Sequence, residues 1–342
     1  MTLEVFLDDT PGETRGVVSR DGQWTHLLID REGDVPAHRP GARSVGRLSE
    51  LAPALNGAFV DLGAGEPLGF LPLRKADRLG VGQKIEVEVS AAARELKGPT
   101  LRLTGPGEGA PRLLSAGPTV AERLAALAPN APVRTGAEAI RAGLEAEEEA
   151  LAADHLFAQA GLSLCVERTR AMIAVDIDHA PAPGRDGRRD KARANRDGLA
   201  QAARLIGLKG WGGLVAIDLV GVGHDGDLMA KAARAAFTDP EAVIGPVNRF
   251  GVQMLSIPWR TTPIETRLLD AGGRRSVETL SIDAARRLRL ALAEDTRSPY
   301  LTVRCGAEVG SLAEPLIRRL GPRARLEIDP AFALCEPRIN SD

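Results

Sequence analysis

The sequence predicts a multidomain chain of mixed class, α+β with α/β parts. A small β-barrel is joined to a βαβ-containing domain and to a small C-terminal α/β domain. Three observations predict it. Residues 33–104 alternate apolar and polar positions in short runs (GAFVDLG, LGFLPL, QKIEVEVSA, PTLRLTG) broken by Gly and Pro. Strands of this size and spacing suit a small barrel. Two apolar, β-branched runs, Met172 to Val175 and Leu214 to Ile217, close on Asp176 and Asp218, with a loop and a helical pattern between them. Strand, crossover helix and strand is the right-handed parallel βαβ unit. Residues 277–335 read as helix, strand, helix, strand.

The remaining elements follow in order. Residues 1–32 read as short strands with a turn at Asp21-Gly22, a hairpin dipeptide. Residues 105–118 (GPGEGAPRLLSAGP) form a Gly/Pro-rich connector. Val120 to Phe157 is Ala-, Leu- and Glu-rich and largely helical, interrupted at Pro129 to Gly136. In the crossover, Asn195 to Ile206 puts Leu199, Ala202, Ala203 and Ile206 on one helical face. LKGWGG then ends that helix. A helix around Asp227 to Phe237, a strand near Val243 to Val247 and a loop at Leu269 to Ser276 complete the reading.

In an open parallel sheet, ligands bind beyond the carboxyl ends of the strands. Asp176 and Asp218 then stand side by side at one rim, a costly like-charge pair unless a cation holds them. Oxygen ligands favour Mg²⁺, with Mn²⁺ as the alternative. Asp178, two residues on, points to the same side and is a candidate third carboxylate. The competing reading is that each strand ends in a solvated or capping aspartate.

At 342 residues the chain holds about two domains. With 44% hydrophobic and 26% charged residues it should be a globular protein. MTLEVFLDDTPGETR has no apolar core of a secretory signal, and no run suits a membrane span. Cys165, Cys305 and Cys335 are odd in number and widely spaced, so they form neither a disulfide framework nor a CxxC zinc site. A cytoplasmic location with reduced thiols fits. The net charge of −2 argues against non-specific nucleic-acid binding over the whole surface. His179 to Ala194 is nonetheless basic, with Arg185, Arg188, Arg189, Lys191 and Arg193 against Asp186 and Asp190. A basic loop at the mouth of a metal site suits a polyanionic substrate; a solvated loop is the plain alternative.

Five segments together resemble the bacterial ribonuclease E/G family. MIAVDIDHA is similar to its strand ending in Asp-hydrophobic-Asn, and GLAQAARLIGLKGWGGLVAIDLV to its crossover into the second catalytic Asp. PVNRFGVQMLSIPWR resembles its ISRFG-type segment. NGAFVDLGAGEPLGFLPL resembles its S1 domain, an OB-fold RNA-binding barrel, and LKGPTLRLTG its NKG segment. The coverage is clearest over 54–104 and 172–260.

The resemblance implies N-terminal strands (1–32), an S1-like OB barrel (33–104), a shortened RNase H-like and 5′-sensor region (105–170), a DNase I-like catalytic subdomain (171–270) and the small C-terminal α/β domain (276–342). It implies an endoribonuclease that cleaves single-stranded RNA with Mg²⁺, in RNA processing or decay. Asp176 and Asp218 would be the catalytic metal ligands, giving 5′-phosphate and 3′-hydroxyl ends. Asp178, a candidate catalytic carboxylate, stands where the family has Asn, a departure that could add a ligand or change metal affinity and pH dependence. Phe59 and Phe70 match the stacking platform, where bases stack at ~1–3 kcal/mol each; the alternative is barrel core. Lys97 matches the NKG lysine, and Arg249 in NRFG could reach substrate phosphate or form a salt bridge. Arg134 and Thr135 match a Val-Arg-Thr segment that recognises a 5′-monophosphate, while a second family arginine falls at Glu241. The segment Thr262 to Glu278 holds no Cys, so no zinc link is expected and any homodimer uses another surface. The chain looks like a short, scaffold-free member.

His179 and His224 flank the rim, where either could touch phosphate, and read more simply as surface histidines without a role; HDGD at 224–227 reads as a turn rather than a calcium loop. Two rival functions stand beside the nuclease. One is an RNA-binding protein of the same fold that has lost turnover. The other is a metal-dependent phosphohydrolase of small nucleotides, which would need no stacking platform.

Overall fold

The computed structural model describes residues 2–74, 77–94, 97–180, 187–221, 223, 225–332 and 337–341. Arg185, Asp186, His224 and Cys335 fall outside the described residues, as does the side chain of Arg188. The fold is mixed α+β and divides into two compact units, residues 1–147 with 261–342, and residues 148–260.

The first unit opens with β1 (Leu3–Asp8), β2 (Glu13–Arg20) and β3 (Gln23–Arg31) in one antiparallel sheet. The expected turn is there: Asp21 and Gly22 have φ of 50° and 78°, the positive pair that a tight two-residue hairpin needs. The barrel comprises β4 (Arg43–Ala52), β5 (Gly57–Asp61), β6 (Gly69–Pro72), β7 (Lys84–Ala91) and β8 (Thr100–Pro106), and the β4–β5 pairing closes it. β4 makes closure work by serving two neighbours: Arg43 to Arg47 pair with β7, and Arg47 to Ala52 pair with β5. Alternate residues fill the interior, among them Leu48, Val60, Leu71, Ile85, Val87 and Leu101.

The connector expected at 105–118 contains a strand, β9 (Arg112–Ser115), on the free edge of β4 beside Arg43 to Val45. Backbone groups left open where β4 turns from one partner to the next explain it. α1 (Val120–Leu127) starts at a capping box of Thr119 and Glu122. β10 (Val133–Arg134) lies parallel to β1, and α2 (Ala137–Leu151) follows.

The second unit holds β11 (Asp154–Phe157), β12 (Leu162–Arg168), β13 (Ile173–His179), α3 (Gly187–Lys209), β14 (Gly213–Asp218), α4 (Gly226–Ala236), β15 (Val243–Val247) and β16 (Val252–Ile257). The sheet order is β11-β12-β13-β14-β16-β15. β13 and β14 are parallel, as the βαβ reading requires, and the other pairings are antiparallel. Two expectations are corrected. Residues 154–157, expected in a helical stretch, pair with β12 instead, so this sheet runs across the boundary expected at residue 170. α3 begins at Gly187 rather than near Asn195. The second half of the basic segment is therefore helix, since Arg, Lys and Ala are good helix formers and Asp190 suits a first turn.

α3 and α4 pack their apolar residues on one sheet face, where Leu199, Ala202, Leu205, Ile206, Met229 and Ala233 meet Val175, Ile177, Val215 and Ile217. Gly198 permits close approach, because a Cβ there would lie 2.7 Å from Ile177.

The chain then returns to the first unit through α5 (Ile264–Leu268), α6 (Val277–Glu294), β17 (Leu301–Cys305), α7 (Ala307–Arg318), β18 (Ala324–Ile328) and β19 (Arg338–Ser341). The helix–strand–helix–strand order is as expected, with β19 added on the other side of β17.

A charged network is buried in this unit. Arg286, 0% exposed, donates to Asp8 at 2.8 Å, Glu13 at 2.8 Å and Asp283 at 3.0 Å. Arg15 and Arg31 reach Glu13 at 2.5 and 2.8 Å. Arg275 joins Glu147 to Asp283. Burial alone would raise the Glu13 carboxyl, but Arg15, Arg286 and Arg31 together hold it far below the ordinary range. Among the described residues no helix is long and apolar enough to cross a membrane.

Candidate functional site

Strand alternation builds the site. In β13, Ile173, Val175 and Ile177 are buried under the helices, while Ala174, Asp176 and Asp178 are exposed on the other face. In β14, Val215 and Ile217 are buried and Asp218 is exposed. The parallel register pairs Asp176 directly with Asp218. Two strands meeting residue to residue thus put two carboxylates on one exposed face, a strand spacing of about 4.8 Å apart.

The row extends across the sheet. Asp176 is also opposite Cys165 on β12, and Cys165 is opposite Asp154 on β11. Burial first, then Asp178 and Asp218, push the Asp176 carboxyl above its ordinary value. Burial, then a hydrogen bond to the Asp154 carboxylate, push the Cys165 thiol up as well. Cys165 is half-buried beside the carboxylates, whereas Cys305 is the buried small residue expected of a cysteine here.

Asn195 holds the chain as it leaves Asp218. Its side chain is 1% exposed, accepts from the Val220 amide at 2.7 Å and donates to the Val220 carbonyl at 3.2 Å. The sequence marks Asn195 only as a helix residue. The signal available is a polar carboxamide at the start of an otherwise apolar helical face, four residues before Leu199.

His179 departs from the surface reading. Its side chain is 8% exposed, with Nδ1 2.9 Å from the Gly161 carbonyl and Nε2 2.8 Å from Asp190. Both partners are acceptors, so the ring ties the end of β13 to the first turn of α3. Asp225, in the HDGD segment, accepts from the Leu228 amide at 3.0 Å and caps α4, in keeping with a turn.

Among the described residues no group of three or more His, Cys, Asp or Glu is disposed to hold a metal ion. The donor chemistry that remains is a pair of facing carboxylates open to solvent. Mg²⁺ suits such a pair, because it binds through one or two carboxylates and keeps several waters.

In the barrel, Phe59 and Phe70 are direct register partners on β5 and β6. Their rings meet edge to face at a centroid distance of 5.7 Å. Both are half-buried, while the core is made by their neighbours Ala58, Val60 and Leu71. The rings therefore lie outside the barrel core. Lys97 is exposed, and its amide donates to the Arg94 carbonyl at 2.9 Å. Gly98 after it packs so closely that a Cβ would lie 1.8 Å from the Leu68 carbonyl. The next residues reach Phe70, whose amide donates to the Pro99 carbonyl at 2.8 Å. Phe59, Phe70 and Lys97 are thus gathered on one part of the barrel.

Arg249 is exposed in the β15–β16 turn, with its guanidinium 4.8 Å from the Phe250 ring centroid. Arg134 is engaged already: it bonds Glu138, reaches Glu4 at 2.9 Å and lies 5.6 Å from the Phe6 ring centroid. Thr135 precedes α2. In the second unit Glu241, with Asp239, holds Arg260.

Compared with known proteins, the chain matches no family model and no curated protein.

Proposed function

We propose that the protein is a Mg²⁺-dependent endoribonuclease acting on single-stranded RNA, with a ribonuclease E/G-type organisation. The barrel is then an S1-type OB domain, and the second unit carries the DNase I-like catalytic sheet. The carrying observation is the direct register of Asp176 with Asp218 on one exposed face. The buried carboxylates Asp8, Glu13, Glu147 and Asp283 meet arginines; Asp176 and Asp218 are instead register partners of each other.

Asp176 and Asp218 would hold the cation between their ionised carboxylates, with Asp178 adding negative charge beside them. A bound Mg²⁺ supplies an activated water and neutralises charge growing on the phosphate. Asn195 fixes the backbone after Asp218. Phe59 and Phe70 stack unpaired bases, and Lys97 and Arg249 take backbone phosphates. Hydrolysis adds the water hydroxyl to phosphorus and its proton to the 3′ oxygen, leaving a 5′-phosphate and a 3′-hydroxyl. Cytoplasmic RNA processing or decay is the setting that fits these products.

The test is cleavage of a fluorescent single-stranded RNA bearing a 5′-monophosphate, by wild type and Asp218→Asn, with Mg²⁺ and with EDTA. Internal cuts by wild type alone, and only with metal, are expected. Equal RNA binding by both proteins with no cuts by either would replace the nuclease with an RNA-binding protein of the same fold.

A further inference from the structure

Phe250 is the only exposed aromatic side chain among the described residues, at 73% exposure. Single apolar residues on a surface need no explanation. Three features set this ring apart.

The first is position. Val252, the first residue of β16, is the register partner of Asp218, the last residue of β14. The β15–β16 turn, Asn248 to Gly251, therefore stands at the same sheet rim as the carboxylate pair. The second is rigidity. The Asn248 carboxamide oxygen accepts from the Phe250 amide at 2.9 Å and from the Val252 amide at 3.1 Å. The Asn248 amide donates to the Val252 carbonyl, and the Gly251 amide to the Asn248 carbonyl. A flexible tip would lose more entropy on ordering a ligand. The third is the partner. Arg249 sits 4.8 Å from the ring centroid, which places a cation beside an aromatic surface.

From this juxtaposition we infer that Phe250 is a base-stacking positioning residue for the nucleotide next to the scissile phosphate. The inference rests on the nuclease reading above. The ligand class is an unpaired nucleobase of an RNA strand. Its flat face stacks on the Phe250 ring while its phosphate lies toward Arg249 and the Asp176–Asp218 pair. Bases inside a duplex are already stacked on both faces, so the turn favours single strands at the point of cutting. This platform is built by other residues than the barrel rings Phe59 and Phe70.

The experiment uses the full chain, with wild type, Phe250→Leu, Phe250→Ala and Phe250→Trp. The leucine variant keeps apolar bulk and removes the π face; the tryptophan variant restores it. The probe is a short fluorescent single-stranded RNA carrying 2-aminopurine at each position around the mapped cut in turn. Affinity is read by anisotropy in EDTA, stacking by 2-aminopurine quenching, and KM and kcat with Mg²⁺. Expected are about ten-fold weaker binding and a matching KM rise for the leucine and alanine variants. Quenching should be lost at one position beside the cut, and Trp should restore both. Thermal unfolding should be unchanged in all four proteins.

Wild-type affinity and quenching in Phe250→Leu, with cutting intact, overturn this inference and leave the nuclease reading standing. A wild type that binds RNA and never cuts overturns the nuclease reading and this role with it. A deficit that Trp does not restore, accompanied by a lowered unfolding temperature, assigns Phe250 to turn structure alone.

Discussion

Two carboxylate clusters in this chain receive opposite treatment. In the first unit Asp8, Glu13, Glu147 and Asp283 are buried, and each meets at least one arginine. In the second unit Asp176 and Asp218 lie exposed, facing each other, with Asp178 on the same strand face. The Glu13 carboxyl is held far down by Arg15, Arg286 and Arg31, whereas that of Asp176 is pushed up by burial, Asp178 and Asp218. The contrast is between charge neutralised inside the protein and charge left open to solvent. A buried ion network costs desolvation to form, and removing one partner costs more because it leaves an uncompensated buried charge. On the proposed reading, a like-charge pair on a strand rim is kept because a bound cation supplies the missing positive charge.

The largest effect should come from breaking the paired cluster. Arg286→Met leaves Asp8, Glu13 and Asp283 short of a partner in the interior. A loss of about 3–5 kcal/mol in unfolding free energy is expected, read by urea denaturation. A loss under about 1 kcal/mol would show that Arg15, Arg31 and Arg275 redistribute to cover the gap.

At the unpaired cluster the effects should invert. Asp176→Asn or Asp218→Asn removes repulsion, so unfolding free energy stays level or rises slightly. Cleavage should fall on the order of 10³-fold, the equivalent of ~4 kcal/mol of lost charge stabilisation. RNA affinity in EDTA should change little. A variant that is destabilised, or that cuts at the wild-type rate, would remove Asp176 and Asp218 from the proposed site.

The aromatic residues allow the same contrast on a smaller scale. Phe6 is 5% exposed and its ring lies 5.8 Å from that of the half-buried Trp24. Phe59 and Phe70 are an equally close pair set outside the barrel core. Phe6→Ala should cost about 3–5 kcal/mol of stability. Phe59→Ala and Phe70→Ala should instead cost ~1–3 kcal/mol each in RNA binding. Loss of stability with unchanged RNA affinity at Phe59 and Phe70 would make those rings structural.

Local pattern carried the strands, the Asp21-Gly22 turn, the parallel pair and the outward placement of Asp176, Asp178 and Asp218, because alternation and turn chemistry are short-range. Long-range neutralisation was not legible. Nothing near Arg286 in sequence points to Asp8, which is 278 residues away. Lys209 read as part of a helix end, yet it is 1% exposed and donates to the Ala150 carbonyl at 2.9 Å. The hydrogen bonds of Asn195 to Val220 and of His179 to Asp190 likewise join residues of different segments, 25 and 11 positions apart. The β11 strand was missed because Asp154 to Phe157 continues an Ala- and Glu-rich helical composition, and its pairing with β12 decides the outcome.

The smallest effect is a titration shift, and it tests the contrast most directly. Asp176 has a raised folded carboxyl, so its ionised form opposes folding at neutral pH; that opposition disappears as pH falls through the folded value. Glu13 has the reverse sign: its stabilisation is complete above the ordinary value of 4.5 and is lost as pH falls from there toward its depressed folded value. Asp178 is one of the charges that raise Asp176. Asp178→Asn should therefore move the Asp176 titration to lower pH, and with it the acid limb of cation binding. The Glu13 titration, in the other unit, should stay where it is. Carboxyl ¹³C chemical shifts followed against pH in metal-free wild type and Asp178→Asn measure both at once. An Asp176 titration that does not move would mean Asp178 is screened from it by water, and would leave Asp218 as the charge that Asp176 answers to.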